Sequence, residues 1–407
     1  MKILVVNADC VFVNTSANLC HLAYLKGLSE AGHQVELLCA DSKYRHVDPN
    51  MALPENIQCR TYPGISLYER MSIRAGHKPA DHVTPISDTG FEGKKAALPH
   101  RLIRFAKRQV LSLYGVHGIY STFVRKASVF RGSAEYDYVL SISTPTASHL
   151  LTHHLLKSGH VAAKHWIQIW EDPWYSDAYG FNSKEKIRRE EQRLLSFAEK
   201  VCYVSPLTLE NQKRLYPESA QKMFWQPLPF YYKSETGNEL PFGHNRYGYF
   251  GDYVPAARDL KPFYEAAKET GIEVNICGNP CNLFQSTTQI HIHPRLPLNE
   301  LKPIEDSTNV LIFLCNRKGG QIPGKIYQYS ATNKTILFIM DGTEDEQRVL
   351  KEYFGQFNRY VFCQNTKEDI ATAIRRIESC DLGEVRNDPL DDFDPVRTIT
   401  NILETGR

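Results

Sequence analysis

The stretch QIPGKIYQYSATNKTILFI, residues 321–339, places a loop, a short helix and a strand in immediate succession. Its first five residues predict a loop, the next predict about two turns of helix, and the apolar run from Thr335 to Met340 predicts a buried strand. Pro323 suits the first helical position, and Lys325 then falls in the first turn. Because backbone N–H groups are unpaired in that turn, the junction predicts a place where an anion can bind.

The same alternation of strands and helices runs through the rest of the chain. Near the amino terminus, KILVV predicts a strand, the polar residues up to Asn18 a loop, residues 19–31 a helix and HQVELLC a second strand, with Gly32 just after the helix. Strands separated by helices pair in parallel, because a crossover helix must return the chain to the same end of the sheet. The predicted fold class is therefore α/β.

Further segments of this kind divide the chain into two domains. Strands are predicted at YDYVLSIST, HWIQIW and AEKVCYVS, and later at YGYF, IEVNIC, IHIHP and NVLIFLC. Between them, at 228–245, proline, glycine and polar residues cluster without apolar periodicity, which predicts a linker. The predicted boundaries are 1–230 for the first domain, 231–245 for the linker, 246–385 for the second domain and 386–407 for a helical tail.

Length and composition favour a globular protein with more than one core. The chain has 407 residues, of which 42% are apolar and 23% charged, and one domain takes roughly 150 residues. The apolar part of MKILVVNADC is too short for a signal peptide, and no run of about 18 apolar residues occurs. These features predict a cytoplasmic location. A net charge of +2 gives no global field that would attract nucleic acid.

The chain offers weak candidates for a metal site. Cys277 and Cys281 are the closest pair of the ten cysteines, but they lack the two-residue spacing and the second pair of a zinc site. His291 and His293 alternate along a predicted strand and point to one side, yet no third ligand follows them in the sequence. We predict no metal, and buried, reduced thiols.

The segment from Gly93 to Ala134 contains no acidic residue. Within it, HRLIRFAKRQVLSLY predicts an amphipathic helix whose basic side carries four residues: Arg101, Arg104, Lys107 and Arg108. Such a helix can lie in a membrane interface, where each basic residue contributes about 1 kcal/mol near anionic lipid. It can equally be a core helix with a solvated basic face.

A second basic residue is predicted at the same edge of the sheet as Lys325. A helix predicted over 255–270 has Leu260, Phe263 and later residues on one face, and Arg258 in its first turn. Both loops follow parallel strands, and ligands of open α/β sheets bind at the carboxyl ends of those strands. Two cations and two helix amino termini would suit a diphosphate. Alternatively, both residues are solvated charges at helix ends.

These segments resemble glycosyltransferase family 4. YGYFGDY with the arginine after it, VNICG, IHIHPRLPLNEL, NVLIFLCN and QIPGKIYQYSATNKTILFI are similar to the donor domain of that family. KILVVN, NLCHLAYLKGLSEAGHQVELLCA, the run from YDYVLSIST to EDPW, and AEKVCYVSPLTLENQKRLY resemble its acceptor domain. The likeness spans nearly the whole chain apart from residues 60–130. It implies the GT-B fold, with two Rossmann-like domains facing across a cleft and a C-terminal helix that packs back on the first domain.

The resemblance also implies an activity, that of a hexosyltransferase-like enzyme. A sugar would move from a nucleotide-diphosphate sugar to a glycan or lipid-linked acceptor, with retention of anomeric configuration and without a metal or other cofactor. Arg258 and Lys325 would stabilise the diphosphate leaving group, because fixed cations must replace a divalent ion. The implied donor contacts in the second domain are Gly251, Arg258, Arg295, Leu296, Pro323, Gly324, Lys325 and Gln328.

Three positions depart from the family pattern. Where the family commonly has two glutamates, this chain has Gly320 and Gln328, and an amide binds a ribose hydroxyl more weakly than a carboxylate does. The first loop reads NTSAN and is not glycine-rich, so Ser16 is either a donor contact or a helix N-cap. The position that often holds histidine falls in EDPW, where Asp172 is the candidate contact for the donor sugar or the acceptor hydroxyl.

The sequence therefore predicts a transferase of cell-surface polysaccharide synthesis (lipopolysaccharide or capsule), since the chain most resembles members that build bacterial surface glycans. Its predicted partners are a nucleotide sugar, an acceptor and an anionic membrane surface, and not nucleic acid. The predicted location is peripheral, at the inner face of the cytoplasmic membrane. Two alternatives stay open: a sugar-nucleotide epimerase of the same fold, and an inactive subunit that binds nucleotide sugar.

Overall fold

Two parallel β-sheets organise the described part of the protein. The structure, a computed structural model, describes residues 1–74, 115–176, 184–234, 245–278, 283–318 and 320–405. The chain divides into two units, of which the first comprises Met1–Pro229 with Pro395–Arg407 and the second comprises Phe230–Asp394. The predicted basic helix with Arg101, Arg104, Lys107 and Arg108 lies outside the described residues, as does Cys281.

The first unit contains a seven-stranded sheet in the order β3-β2-β1-β4-β5-β6-β7. Its strands are β1 (Lys2–Asn7), β2 (Gln34–Ala40), β3 (Ile57–Tyr62), β4 (Tyr136–Ser143), β5 (Ala163–Trp170), β6 (Lys200–Tyr203) and β7 (Met223–Trp225). Its helices up to the second unit are α1 (Ser16–Glu30), α2 (Leu67–Arg74), α3 (Ser121–Ala127), α4 (Ala147–Lys157), α5 (Lys184–Phe197) and α6 (Pro206–Leu215). Short 3₁₀ segments occupy Gly115–Tyr120 and Pro217–Lys222. Neighbouring strands pair in parallel throughout.

The second unit contains a six-stranded parallel sheet in the order β10-β9-β8-β11-β12-β13. Its strands are β8 (Arg246–Phe250), β9 (Glu273–Cys277), β10 (Ile290–His293), β11 (Val310–Leu314), β12 (Thr335–Met340) and β13 (Tyr360–Gln364). Its helices are α7 (Lys261–Thr270), α8 (Leu298–Ser307), α9 (Lys325–Ser330), α10 (Glu344–Gly355) and α11 (Lys367–Glu378). Every residue of β11 and β12 is buried, as expected for strands of a parallel sheet that is covered on both faces.

Local sequence signals set several helix ends. Gly32 follows α1 with a φ of 77°, a left-handed conformation that glycine adopts without steric cost, so its predicted role is confirmed. Thr343 and Glu346 form a capping box at the start of α10. The predicted apolar face of α7 is also confirmed, since Leu260 and Phe263 are buried.

Two predicted helix starts were wrong. α7 begins at Lys261 and not at Pro255, because Pro262 has no N–H to donate and fits only the first turn of a helix. α9 begins at Lys325 after the N-cap Gly324, so Pro323 is not its first residue. Pro323 still starts the turn that enters α9, since its carbonyl accepts a hydrogen bond from the Ile326 N–H at 3.2 Å.

The N-cap of α1 is Thr15 and not Ser16. The Thr15 hydroxyl accepts the Asn18 N–H at 3.0 Å, whereas Ser16 is the first helical residue and is exposed. The extended backbone of Thr15 directs its side chain toward the open end of the helix, which is the geometry that an N-cap requires.

The C-terminal helix α12 (Pro395–Thr405) packs on α1 of the first unit, as predicted. A Cβ built at Gly27 of α1 would lie 2.2 Å from the Pro395 carbonyl oxygen, so this contact requires glycine. Residues 386–394, which were assigned to the tail, belong to the second unit. Among the described residues, no helix is both long enough and apolar enough to cross a bilayer.

Candidate functional site

The carboxyl ends of β8 and β11 carry the polar side chains that the sequence singled out in the second unit. Gly251 follows β8 directly, and the loop after it contains Arg258. The chain after β11 leads through Asn316 to the start of α9, where Lys325 is the first helical residue. Since β8 and β11 are neighbours in the sheet, these loops emerge side by side. This edge is where ligands of open α/β sheets bind.

Arg258 is half-buried and held by two oxygen atoms. Its Nε donates to Asn316 Oδ1 at 2.7 Å, and its Nη1 donates to the Asp252 carbonyl at 3.4 Å. Both acceptors are uncharged, and within the described ranges no carboxylate forms an ion pair with this guanidinium. The positive charge of Arg258 is therefore fixed in direction without being neutralised by the described residues.

Lys325 keeps part of its side chain exposed at the start of α9. Its Nζ lies 3.5 Å from Glu305 Oε1 of α8, and the two side chains are 36% and 16% exposed. The ammonium group also lies 5.9 Å from the centre of the Phe250 ring and 6.0 Å from that of Tyr329. A long, partly solvated ion pair is weak, so Glu305 orients Lys325 without fully compensating its charge.

A third cation approaches the loop after β8. Arg295, which is 55% exposed, places Nη1 4.0 Å from Asp252 Oδ2. Because Arg258 contacts the carbonyl of the same aspartate, Arg258 and Arg295 converge on one loop. Leu296 follows Arg295 and is half-buried. Arg258 and Arg295 thus both contact Asp252 in the loop after β8, while Lys325 lies at the start of α9, in the segment after the neighbouring strand β11.

The protein's own packing requires glycine beside this loop, at Gly278. A Cβ at Gly251 would make ordinary contact, with the Tyr249 hydroxyl nearest at 3.5 Å. A Cβ at Gly278 would lie 2.1 Å from the Gly251 carbonyl oxygen. The close packing of the loops after β8 and β9 therefore depends on Gly278, and the protein's own packing leaves Gly251 unconstrained.

Gln328 uses its amide within the second unit. Its Oε1 accepts the N–H groups of Tyr231 and Tyr232 at 2.9 and 3.4 Å, and its Nε2 donates to the Tyr232 carbonyl at 2.6 Å. Both acceptor positions of the oxygen are thus occupied. The predicted ribose contact would have to use the remaining N–H of the amide.

Three residues of this edge were missed by sequence reasoning: Glu305, Asn316 and Arg317. Arg317 donates its backbone N–H to the Ala257 carbonyl at 2.9 Å and its Nη1 to the Pro255 carbonyl at 3.2 Å. Asn316 and Arg317 lie two and three residues after the end of a buried strand of the same sheet, a position that could have identified them. Glu305 lies on α8 and had no such signal.

Cys277, at the end of β9, lies near the same charges but is not a nucleophile. Burial raises the pKa of its thiol to about 12, with the negative charge of Glu305 adding to the effect and Lys325 opposing it. The thiol is therefore protonated at neutral pH, and a thiolate is needed for attack.

The paired histidines on β10 do not form part of a metal cluster in the described residues. His293 Nε2 lies 2.8 Å from Asn275 Oδ1 on the neighbouring strand. Burial and then the nearby His291 lower the pKa of His293. Among the described residues, no group of three or more histidine, cysteine or carboxylate side chains is arranged to hold a metal ion.

The first unit has its own polar cluster at the carboxyl ends of β1, β4 and β5. Asp172 follows β5, and its Oδ2 accepts the Thr144 hydroxyl at 3.0 Å. The preceding residue, Glu171, places Oε2 3.1 Å from His21 Nε2. His21 is 1% exposed and was not singled out from the sequence.

Hydrogen-bond partners define the tautomer of His21. The Asp9 N–H donates to Asn7 Oδ1 at 2.9 Å, so the Asn7 amide nitrogen faces His21 Nδ1, at 2.6 Å. We assign Nδ1 as the acceptor in this shorter contact, so its 3.3 Å contact with Asn18 Oδ1, which is also an acceptor, is not a hydrogen bond in this tautomer. The ring proton is then on Nε2 and is donated to Glu171, whose Oε1 is buried without a partner among the described residues.

Comparisons with known proteins identify the fold. No protein-family model matches the chain, and no curated protein matches it by sequence. Sucrose-phosphate synthase from Thermosynechococcus elongatus has a similar structure, with a TM-score of 0.55 at 13% identity over 100% of this chain and 96% of that one. HepE from Anabaena, in complex with UDP and glucose, gives a TM-score of 0.57 at 11% identity over 100% and 99%. Together with the two parallel sheets, these likenesses show that the chain has the GT-B fold.

Proposed function

We propose that this protein is a glycosyltransferase that moves a sugar from a nucleotide-diphosphate sugar to a glycan or lipid-linked acceptor. The observation that carries the proposal is the pair Arg258 and Lys325 at the carboxyl edge of the second sheet, both oriented and neither tightly neutralised by described residues. A diphosphate is the ligand that such an edge suits. HepE, of similar fold, is in complex with UDP and glucose, which supports this choice.

Arg258 and Lys325 have a chemical role in this proposal. As the bond from the sugar to the diphosphate breaks, negative charge develops on the leaving group, and fixed cations stabilise it without a metal or other cofactor. The acceptor hydroxyl attacks from the same face, and its proton passes to a leaving-group oxygen, so the anomeric configuration is retained. The proposed donor contacts of the second unit are Gly251, Arg258, Arg295, Leu296, Pro323, Gly324, Lys325 and Gln328.

The first unit is proposed to bind the acceptor. Asp172, whose carboxylate is oriented by the Thr144 hydroxyl, is the proposed partner of a sugar hydroxyl. Ser16, exposed at the start of α1, is proposed instead as a contact for the donor. Carboxylates and hydroxyl groups bind sugar hydroxyls well, since they accept hydrogen bonds from them.

We further propose a role in cell-surface polysaccharide synthesis at the inner face of the cytoplasmic membrane. The basic segment with Arg104 and Lys107 suits an anionic surface. On α2, Leu67 and Met71 lie one turn apart and are 64% and 63% exposed, which gives that helix an apolar surface. Reversing the charges of Arg104 and Lys107 should release the protein from anionic vesicles in a sedimentation assay, and unchanged binding would refute this part.

One assay tests the proposed activity against its alternatives. Purified protein is incubated with a panel of nucleotide sugars, with and without a membrane lipid extract, and the nucleotides are separated by chromatography. We expect free nucleoside diphosphate to be released only when the extract is present. A changed nucleotide sugar without the extract would indicate an epimerase, and binding without turnover would indicate an inactive subunit.

A further inference from the structure

We propose that Asn316 is a positioning residue that holds Arg258 and the loop before Lys325 in one arrangement, so that both cations can meet the same diphosphate. The inference rests on the proposed function, because it assigns Arg258 and Lys325 to one ligand. Asn316 itself touches neither the sugar nor the reacting atoms in this proposal.

Two hydrogen bonds from one amide carry the argument. Asn316 Oδ1 accepts Arg258 Nε at 2.7 Å, and Asn316 Nδ2 donates to the Gln321 carbonyl at 3.0 Å. A guanidinium can only donate and a carbonyl can only accept, so the orientation of the amide is determined. Asparagine is the side chain that meets both needs at this length.

The two bonds join segments that carry different cations. Asn316 follows β11, Arg258 lies in the loop after the neighbouring strand β8, and Gln321 lies on the segment that leads into α9 and Lys325. An arginine side chain can adopt several rotamers, and a hydrogen bond from its Nε selects one of them. The charge-assisted bond to Asn316 therefore fixes where the remaining N–H groups of Arg258 point.

Other hydrogen bonds connect these loops without the Asn316 side chain. The Arg317 N–H donates to the Ala257 carbonyl at 2.9 Å, and Arg317 Nη1 donates to the Pro255 carbonyl at 3.2 Å. Removing the Asn316 side chain should leave these bonds and the sheet intact. The effect expected from such a variant is a misdirected Arg258 and not a lost fold.

Asn309 is a matched control at the opposite end of β11. It is also half-buried, its Oδ1 accepts the Arg246 N–H, and its Nδ2 donates to Asn245 Oδ1 at 2.6 Å. Asn309 thus joins two segments as Asn316 does, but at the amino edge of the sheet, away from the cations. Asn309→Ala measures what the loss of a bridging asparagine costs in stability alone.

The experiment is a double-mutant cycle read by calorimetric titration. The probe is whichever of UDP, GDP, dTDP and ADP the parent protein binds best. Asn316→Ala should weaken its binding roughly 10-fold to 10²-fold, the cost of a misplaced contact. The same substitution in an Arg258→Ala background should have almost no further effect, while Asn309→Ala should leave binding unchanged.

Each outcome separates this inference from the proposed function. If Arg258→Ala binds the probe as the parent does, the diphosphate is placed wrongly and both ideas fail. If Arg258→Ala weakens binding but Asn316→Ala does not, only the positioning role is overturned. If Asn316→Ala lowers the nucleotide affinity equally in the parent and in Arg258→Ala, the positioning role is also overturned, since the amide would then affect binding without acting through Arg258. Should Asn316→Ala not fold, Asn316→Ser serves instead, because its short hydroxyl cannot span both partners.

Discussion

The two sheets have the same strand topology, but their carboxyl edges differ in how the polar side chains are paired. At the first sheet, the buried His21 is hydrogen-bonded to the half-buried Glu171, and Asn7 completes the chain of contacts. At the second sheet, Arg258 and Lys325 are half-buried cations whose nearest partners are an amide and one distant carboxylate. At the first edge the buried imidazole is paired within the protein, whereas the second edge retains positive charge among the described residues.

Burial explains the difference. A fully buried polar group must find a protein partner, because an unpaired one costs several kcal/mol of desolvation. A group that keeps access to solvent can stay unpaired until a ligand arrives. This difference supports the proposal that the second sheet binds the anion, and we expect substitutions at the two edges to have different consequences.

The largest effect is expected from removing either cation of the second sheet. Arg258→Ala and Lys325→Ala should each lower kcat/KM by about 10²-fold to 10³-fold, since each removes a charge directed at the leaving group. The free energy of unfolding should change little, because neither side chain is fully buried. Steady-state kinetics and urea denaturation measure the two quantities.

Arg246→Ala is the control for these variants. Arg246 begins β8 at the amino edge of the same sheet and pairs with Glu273 at 3.4 Å in an exposed position. Its removal should leave both activity and stability close to those of the parent. Full activity in Lys325→Ala or Arg258→Ala would refute the proposed difference between the two edges, because the positive charge of the second edge would then not contribute to catalysis.

Local signals explain what could be predicted from the sequence. The junction at Lys325 was found because proline, glycine and lysine before an apolar strand are informative within a few positions, and the structure indeed begins α9 there. The alternation of strands and helices likewise predicted both sheets. The predicted start of α7 was wrong because the helix was placed at Pro255, whereas the proline in its first turn is Pro262.

Through-space contacts explain what could not be predicted. Gln328 bonds to Tyr231, 97 positions earlier in the chain, and His21 bonds to Glu171, 150 positions later. Nothing in either local sequence indicates such a partner. Glu305 reaches Lys325 from another helix, so its influence on the cation appears only when the chain is folded.

A smaller effect, on stability and not on nucleotide binding, is expected at the first sheet. Glu171→Leu leaves the Nε2–H of buried His21 without an acceptor, which should lower the free energy of unfolding by about 1–3 kcal/mol. Replacing both partners, in His21→Leu with Glu171→Leu, should restore part of the loss, because no polar group is then left unpaired. Urea denaturation measures both.

Glu171→Gln is the matched variant, since its amide oxygen can still accept the His21 proton. It should be more stable than Glu171→Leu, and all of these variants should bind UDP as the parent does in calorimetric titration. A loss of UDP affinity in Glu171→Leu without a loss of stability would mean that the first edge also serves the nucleotide, contrary to the comparison.

The smallest expected effect tests whether Glu305 competes with the diphosphate for the positive charge of Lys325. Glu305 lies 3.5 Å from Lys325 and is the one described carboxylate that pairs with it. Glu305→Gln should tighten UDP binding about two- to fivefold, because a partly exposed ion pair contributes about 0.2–1 kcal/mol and competes with the diphosphate. The gain should shrink at high salt, where screening weakens both interactions.

Glu300→Gln, in the first turn of the same helix, controls for the lost charge on α8. Weaker binding in Glu305→Gln alone would instead mean that Glu305 serves the site by orienting Lys325, since the loss of orientation would then outweigh the loss of competition.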